Sequence, residues 1–179
     1  MQDDLLAFFH DRLKVYLRDK GHAHDHVDAV RFRADGAMED DIVLISRKLE
    51  ALEAFLKTED GANLTAAYKR ASNILKAEEK KGTEADAAEV REDLLSDPAE
   101  QALFRALSAA ETGVTENLAK EDFKSAMLSL AELRAPLDRF FEDVTVNADD
   151  AALRQNRLAL LHRIKKTCEQ VADLSRLEG

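Results

Sequence analysis

Apolar residues recur at intervals of three and four along most of the chain, which is the spacing of one face of an α-helix. The first such stripe runs over residues 3–20 and is stopped by Gly21. Further stripes follow, each predicting one helix, and no period of about 20–50 residues repeats, so a solenoid is not expected. The pattern predicts an all-α, single-domain bundle of about six to eight helices over residues 1–179.

Local signals in the first hundred residues predict where helices begin. Asp25 is expected to cap a short second helix, and the pair Asp40–Asp41 precedes a third apolar stripe. Gly61 is expected to break the chain before a fourth helix. The segment Asp97-Pro98-Ala99-Glu100 combines a capping residue, an early proline and a carboxylate three residues after the cap.

The remaining boundaries are predicted from charge and proline. The charged stretch around residues 78–97 is typical of an exposed connection, with a short helix around Val90–Leu95. Pro136 is expected to limit a helix that contains Phe123, and a short segment continues after it. The last helix is predicted from about Asp150 to Leu174.

Composition excludes several classes of protein. With 45 % apolar residues the chain can bury a core, and only 6 Gly and 2 Pro argue against a strand-and-turn architecture. One cysteine, Cys168, excludes an internal disulfide framework and a four-thiolate zinc site. No apolar run approaches the ~18 residues of a membrane helix. We therefore expect a cytoplasmic protein with no membrane partner.

The net charge of −10 is unfavourable for a nucleic-acid binder, so its distribution matters. Residues 1–82 carry a net charge of −2, residues 83–150 carry −11, and residues 151–179 carry +3. The excess acidity therefore lies in the middle of the sequence, and the two ends can present basic faces.

Two segments carry a family resemblance. Residues 140–161 read FFEDVTVNADDAALRQNRLALL, which resembles the closing signature of the glycyl-tRNA synthetase β subunit. Within it, Asp150–Arg154 resembles the D-A-L-R element of a wider anticodon-binding domain family, with one extra alanine. Upstream, Tyr68–Lys76 resembles the family's K-R-x-x-N-I-L helix, and the resemblance extends over residues 4–175.

The resemblance implies an all-helical, DALR-type anticodon-binding domain at the carboxy terminus of a β subunit. Such a domain binds tRNA(Gly) and has no catalytic site or cofactor of its own. It is part of a glycine–tRNA ligase in which the separate α subunit activates the amino acid and ATP is used outside this domain. DNA is not an expected partner. Glycine anticodons end in two cytosines, and unpaired loop bases expose the edges that a protein can read.

Cations and amides on the two resembling helices are the candidate tRNA contacts. They are Lys69, Arg70, Asn73, Lys76, Arg154, Arg157, Arg163, Lys165 and Lys166. Arg70, Asn73 and Arg157 lie within apolar stripes, so they could instead join helices through buried hydrogen bonds. The two consecutive lysines of the last helix could equally form a solvated face.

Aromatic side chains are assigned mainly to the core. Phe8, Phe9, Phe140 and Phe141 lie in apolar stripes, which predicts that all four are buried. Phe32 is also expected in the core, although its arginine neighbours would suit it for stacking on a base.

Two other interpretations involve histidine. His22, His24 and His26 could bind a metal ion, but alternate residues at a helix start do not face each other, so no metal site is expected. The pairs His10–Asp11 and His24–Asp25 are typical of HD-type phosphohydrolases, but the further upstream histidine that such chemistry needs is missing.

The alternative outside RNA binding and catalysis is a helical docking module for subunit assembly. Its surface would be the acidic middle block, represented by Glu89, Glu92 and Asp93.

Overall fold

The computed structural model describes residues 2–82 and 89–178, with only the backbone described for Gln2 and Asp3. Within these ranges the chain forms eight α-helices, and the only β-structure is an isolated bridge between Phe32 and Met38. The helices are α1 (Gln2–Asp19), α2 (His24–Val30), α3 (Ile42–Leu56), α4 (Glu59–Glu79), α5 (Pro98–Ala119), α6 (Phe123–Ala131), α7 (Arg134–Asp143) and α8 (Ala151–Glu169). Two 3₁₀ turns lie at Glu92–Leu94 and Leu174–Arg176. The predicted all-α bundle is confirmed.

Two helix starts follow the predicted capping chemistry, and α8 begins with a further side-chain cap. The Asp41 side chain accepts the Leu44 N–H at 3.0 Å, which satisfies a backbone donor that has no partner inside α3. At α5, the predicted capping box is formed by Asp97 and Glu100. Asp150 accepts two N–H groups at the start of α8.

The expectations for Asp25 and Gly61 were wrong. Asp25 lies inside α2, where its carboxylate accepts the Glu178 N–H at 2.8 Å instead of capping the helix. Gly61 does not break the chain, because it belongs to the first turn of α4, which is capped by Thr58. A Cβ at Gly61 would overlap the Phe55 carbonyl oxygen, so glycine here permits two backbones to approach closely.

Two boundaries in the second half also differ from the prediction. Pro136 lies in the first turn of α7, where its missing N–H costs no helical hydrogen bond, and α6 already ends at Ala131. The last helix ends at Glu169, and Leu174 belongs to the 3₁₀ turn that follows.

The core forms around α4, which packs against α3, α6, α7 and α8. Tyr68 on α4, Leu103 on α5 and Phe140 on α7 are fully buried. Four consecutive residues of α8, Leu158 to Leu161, are buried as well, so α8 is enclosed on most of its circumference. This packing holds α4, the end of α7 and α8 side by side.

The aromatic assignments hold only in part. Phe140 is buried as predicted, whereas Phe141 and Phe32 are partly exposed. Phe8 and Phe9 were predicted in the core and are 53 % and 52 % exposed, because α1 turns the opposite side toward the bundle.

The described ends of the connection after α4 are anchored. Glu78 and Leu95 are buried, while the short helix predicted around Val90–Leu95 is a single 3₁₀ turn. The Asn156 side chain accepts the Arg91 N–H at 2.7 Å and donates to the Arg91 carbonyl oxygen at 3.0 Å. Residues 83–88 of the predicted connection lie outside the described part of the chain.

Candidate nucleic-acid interface

A polar stripe runs along the outer face of α4. Lys69, Asn73 and Lys76 are spaced by four and three residues, which places them above one another on one side of a helix. Asn73 and Lys76 are exposed and Lys69 is partly exposed. The alternative in which Asn73 joins helices through buried hydrogen bonds is therefore wrong.

Arg70 lies beside this stripe and stacks on Phe141 of α7. The centre of its guanidinium group is 4.3 Å from the ring centroid, which is a cation–π distance. Arg70 remains exposed, so its planar group is held in place by the ring while its N–H donors face solvent. The arrangement provides a flat, cationic surface at the edge of the bundle.

A cleft of about 440 Å³ opens next to this stack. It lies between α4, the end of α7, the segment 144–147 and the first turns of α8. Lining residues include Arg70, Ile74, Phe141, Glu142, Thr145, Arg154 and Leu158. The cleft therefore joins the two segments that carry the family resemblance.

Arg154 enters the cleft from α8. Its Nη1 donates to the Ala148 carbonyl oxygen at 3.2 Å, which fixes the side chain and leaves further N–H donors available. Among the described residues, no carboxylate lies within ion-pair distance of the charged nitrogens of Lys69, Arg70, Lys76 or Arg154. The α4 stripe therefore carries two cations without ion-pair partners, while the cleft is lined by two arginines and by two glutamates, Glu78 and Glu142.

Arg157 does not belong to this exposed group. Its Nε is 2.6 Å from Oε1 of the fully buried Glu100, and its Nη1 donates to the Thr145 carbonyl oxygen at 2.8 Å. The structural alternative for Arg157 is confirmed, because it ties α8 to the start of α5 and to the segment that forms one wall of the cleft.

Arg163, Lys165 and Lys166 lie farther along α8. Arg163 Nε donates to Glu111 at 2.7 Å, and this hydrogen bond raises the pKa of the guanidinium above its usual value. Lys165 is 3.8 Å from Glu169, and Lys166 is exposed. None of the three lines the cleft, so the nine candidates do not form one surface.

Three parts of this site were not predicted from the sequence. Phe141 serves as the stacking ring under Arg70, Glu142 lines the cleft as a hydrogen-bond acceptor, and residues 144–147 form a wall. Only the short segment Val144-Thr145-Val146, between two helical stripes, pointed to that wall, since an irregular segment between long helices frequently lines a site.

The histidine-rich segment forms a polar cluster with α3. The Nδ1 atoms of His22 and His26 lie 3.0 Å and 3.3 Å from Glu53 Oε1. Burial opposes ionisation of this carboxyl, but the two histidine contacts hold the pKa of Glu53 below its usual value. His24 lies apart from them, 3.2 Å from Glu178. The described residues contain no group of three or more His, Cys, Asp or Glu side chains suited to holding a metal ion.

His10 and the acidic block lie outside the cleft. His10 is buried and its Nε2 donates to the Glu39 carbonyl oxygen at 2.6 Å. Glu89, Glu92 and Asp93 are exposed, and Asp93 is paired with Arg91. No described helix is both long and apolar enough to cross a membrane.

The comparisons with known proteins place the chain in a family. A family model described as "DALR anticodon binding domain" matches residues 64–175, which contain the α4 stripe and the cleft, and the chain belongs to that family. Over 177 residues it is 52 % identical to the "Glycine--tRNA ligase beta subunit" of Ruegeria sp. (strain TM1040). Proteins with the same description from two strains of Cereibacter sphaeroides are 52 % and 51 % identical to it over 181 residues.

Each of these similarities covers 98 % of the chain but 25 % of the relative. The chain therefore spans about a quarter of the length of these curated relatives.

Proposed function

We propose that the chain is the anticodon-binding part of a glycine–tRNA ligase β subunit and that it binds the anticodon loop of tRNA(Gly) at the α4–α7–α8 cleft. Activation of the amino acid, with its use of ATP, takes place on the α subunit of the same cytoplasmic enzyme. This part of the β subunit needs no cofactor, because its task is to hold RNA. The relatives' description and the family match support this proposal.

The observation that carries the proposal is that Arg70 and Arg154 line one cleft and have no ion-pair partner among the described residues. Arg70 is stacked at 4.3 Å on Phe141, and Arg154 is fixed by the Ala148 carbonyl oxygen. Two preoriented guanidinium groups without carboxylate partners among the described residues are suited to the acceptors of an unpaired base or to a phosphate.

The polar groups of the cleft match the edge of a cytosine. A cytosine presents one amino donor together with acceptors at N3 and O2. Arg70 and Arg154 supply donors, and Glu142 supplies an acceptor for the amino group. The exposed face of the Arg70–Phe141 stack offers a platform for a splayed-out base, a contact worth about 1–3 kcal/mol in single-stranded complexes.

The α4 stripe supplies the contacts to the RNA backbone. Lys69 and Lys76 lie about two turns apart on the face next to the cleft, with Asn73 between them. A strand whose base enters the cleft would place its neighbouring phosphates along this face. These lysines contribute affinity without sequence preference, since phosphate contacts position the RNA and base contacts specify it.

Binding to an anticodon stem-loop tests the proposal. We expect the chain to bind a glycine stem-loop at low salt and to lose about tenfold or more in affinity when both anticodon cytosines are changed to adenines, since each base contact is worth roughly 1–3 kcal/mol. Equal binding to both loops would contradict base reading and leave only a phosphate-holding surface. Absence of binding to either would favour the docking alternative.

Matched variants locate the site. Arg70→Ala and Arg154→Ala are each expected to weaken stem-loop binding about tenfold, because a charge-assisted contact contributes roughly 1.5–3 kcal/mol. Arg105→Ala is the control, since Arg105 is an exposed arginine on α5 outside the cleft. If Arg105→Ala weakened binding as much as Arg154→Ala, the RNA site would lie elsewhere.

A further inference from the structure

Large exposed apolar side chains are concentrated on α1. Leu5, Phe8, Phe9, Val15 and Tyr16 are between 46 % and 57 % exposed. Most of the other exposed large apolar side chains among the described residues belong to the first turn of α3, at Ile42 and Val43. Singly scattered apolar residues are normal on a protein surface, but several on one helix indicate an interaction surface.

The opposite side of α1 attaches it to the bundle. Leu17 is buried, the His10 Nε2 donates to the Glu39 carbonyl oxygen at 2.6 Å, and Lys14 Nζ is 2.6 Å from Asp28. The exposed stripe at Leu5, Phe9 and Tyr16 follows helical spacing on a different side of α1. α1 therefore has two apolar sides, and only one of them has a partner within the described residues.

Two aromatic residues of the exposed face are in contact with each other. The rings of Phe8 and Phe9 meet edge to face with centroids 6.1 Å apart. Arg12 lies over Phe8 at 5.4 Å and Lys20 over Tyr16 at 5.5 Å, so the exposed face combines aromatic rings with cations that stack on them. Aromatic residues and arginine are enriched in surfaces that pack against another protein surface.

We propose that this α1 face is the docking surface for another part of the β-subunit polypeptide, and this inference rests on the proposed function. The anticodon-domain match begins at residue 64, so α1 lies outside it. The similarity to the β-subunit relatives covers 98 % of the chain and therefore includes α1, while three quarters of those relatives lie outside the aligned part. The β-subunit relatives therefore share α1. The surface that covers its exposed face is an apolar surface elsewhere in the same polypeptide.

Cysteine labelling in the full-length β subunit tests the docking surface. Cys168 is fully buried, so an introduced cysteine can be labelled selectively within this chain. Val15→Cys and Leu5→Cys report on α1, and Leu128→Cys is the control, since Leu128 is a similarly exposed apolar residue on α6. Labelling of each peptide is followed by mass spectrometry in this chain alone and in the full-length subunit.

In the chain alone, we expect all three cysteines to react at similar rates. In the full-length subunit, the two α1 cysteines should react at least about tenfold more slowly while Leu128→Cys is unchanged, because docking removes α1 from solvent. Two reporter positions are used because a single substitution could itself weaken the contact.

Three results would overturn the docking proposal. They are equal labelling of α1 in both proteins, protection in the chain alone that grows with its concentration, and protection that needs the α subunit. The second result would indicate a second copy as occupant. Stem-loop binding by Val15→Cys is measured separately and should equal that of the unsubstituted chain, so failure of RNA binding and failure of docking are distinguishable.

Discussion

Among single residues, the buried pair of Arg157 and Glu100 sets the geometry of the cleft wall. Glu100 is fully buried, with Oε1 on Arg157 at 2.6 Å and Oε2 on the Asp97 N–H at 2.8 Å. Arg157 also donates to the Thr145 carbonyl oxygen. This ion pair therefore holds together the start of α5, the segment 144–147 and α8. Removing either side chain leaves the other charge buried without its partner.

Replacing Arg157 by alanine is expected to lower the free energy of unfolding by about 3–5 kcal/mol, because it strands the Glu100 carboxylate in the core. Chemical denaturation at neutral pH measures the change. Arg105→Ala on the exposed side of α5 is the comparison and should stay within about 0.5 kcal/mol of the unsubstituted chain. A loss below ~1 kcal/mol for Arg157→Ala would mean that Glu100 finds another partner or takes up a proton.

The sequence indicated a helix-joining role for Arg157 as one of two alternatives, but its partners could not be predicted, whereas part of the site could. The helical spacing of Lys69, Asn73 and Lys76 predicted a shared face, and the structure has it. On α8, buried residues occur on nearly every side, so the pattern leaves no polar face to indicate which arginine turns outward. The partners Glu100 and Phe141 come from distant helices, and only tertiary packing brings them near.

Between helices, the junction of α3 and α4 is determined by Gly61. α3 ends at Leu56 and α4 begins at Glu59, so the chain reverses within two residues. Thr58 caps α4 by accepting the Gly61 N–H at 3.0 Å. Because the Gly61 Cα faces the Phe55 carbonyl oxygen, the turn is possible only without a side chain at this position.

Gly61→Ala separates two effects of opposite sign. Helix propensity alone would stabilise α4 by about 1 kcal/mol. The overlap with a backbone carbonyl, which cannot rotate away, should outweigh this and destabilise the protein by ~1–3 kcal/mol. Thermal unfolding of Gly61→Ala and of Ala66→Gly gives the sign of the change in stability. Ala66 is an exposed position of α4, so Ala66→Gly changes helix propensity only. An increase in melting temperature for Gly61→Ala would show that the junction can relax.

Helix boundaries were predictable where a side chain makes the hydrogen bond that starts the helix. Asp41 and the capping box at Asp97 are of this kind, because the interaction spans only a few residues. Gly61 and Pro136 were misread as breaks, since glycine also serves close packing and proline is tolerated in a first turn. Whether a glycine or a proline ends a helix or lies within one depends on how the neighbouring helix packs, and the local sequence does not contain that information.

Across the whole molecule, charge is segregated rather than balanced. The net charge is −10, yet the α4 stripe and the cleft have cations without carboxylate partners among the described residues. Acidic residues of the middle of the sequence are used in caps and internal pairs, as at Asp97 and Glu111, or are exposed elsewhere. RNA is therefore attracted locally while the remaining surface repels it, which should make binding strongly dependent on ionic strength.

Salt titration of stem-loop binding quantifies this local attraction. Lys69→Gln and Lys76→Gln are each expected to reduce the slope of log K against log[salt] by about one, since each removes one phosphate contact and its released counterion. Lys124→Gln, an exposed lysine on α6, should leave the slope unchanged. If Lys124→Gln reduced the slope and the two α4 substitutions did not, the RNA would lie on the α6 side of the bundle.

The contacts of residues 173–178 with α2 connect segments that are far apart in the sequence. The Asp173 N–H donates to the Ala29 carbonyl oxygen at 2.8 Å, and the Glu178 N–H donates to Asp25. During synthesis, α2 leaves the ribosome long before its partner does. α1 and α3 cover part of α2 early, but the rest of its buried face stays uncovered until residues 173–178 have been translated.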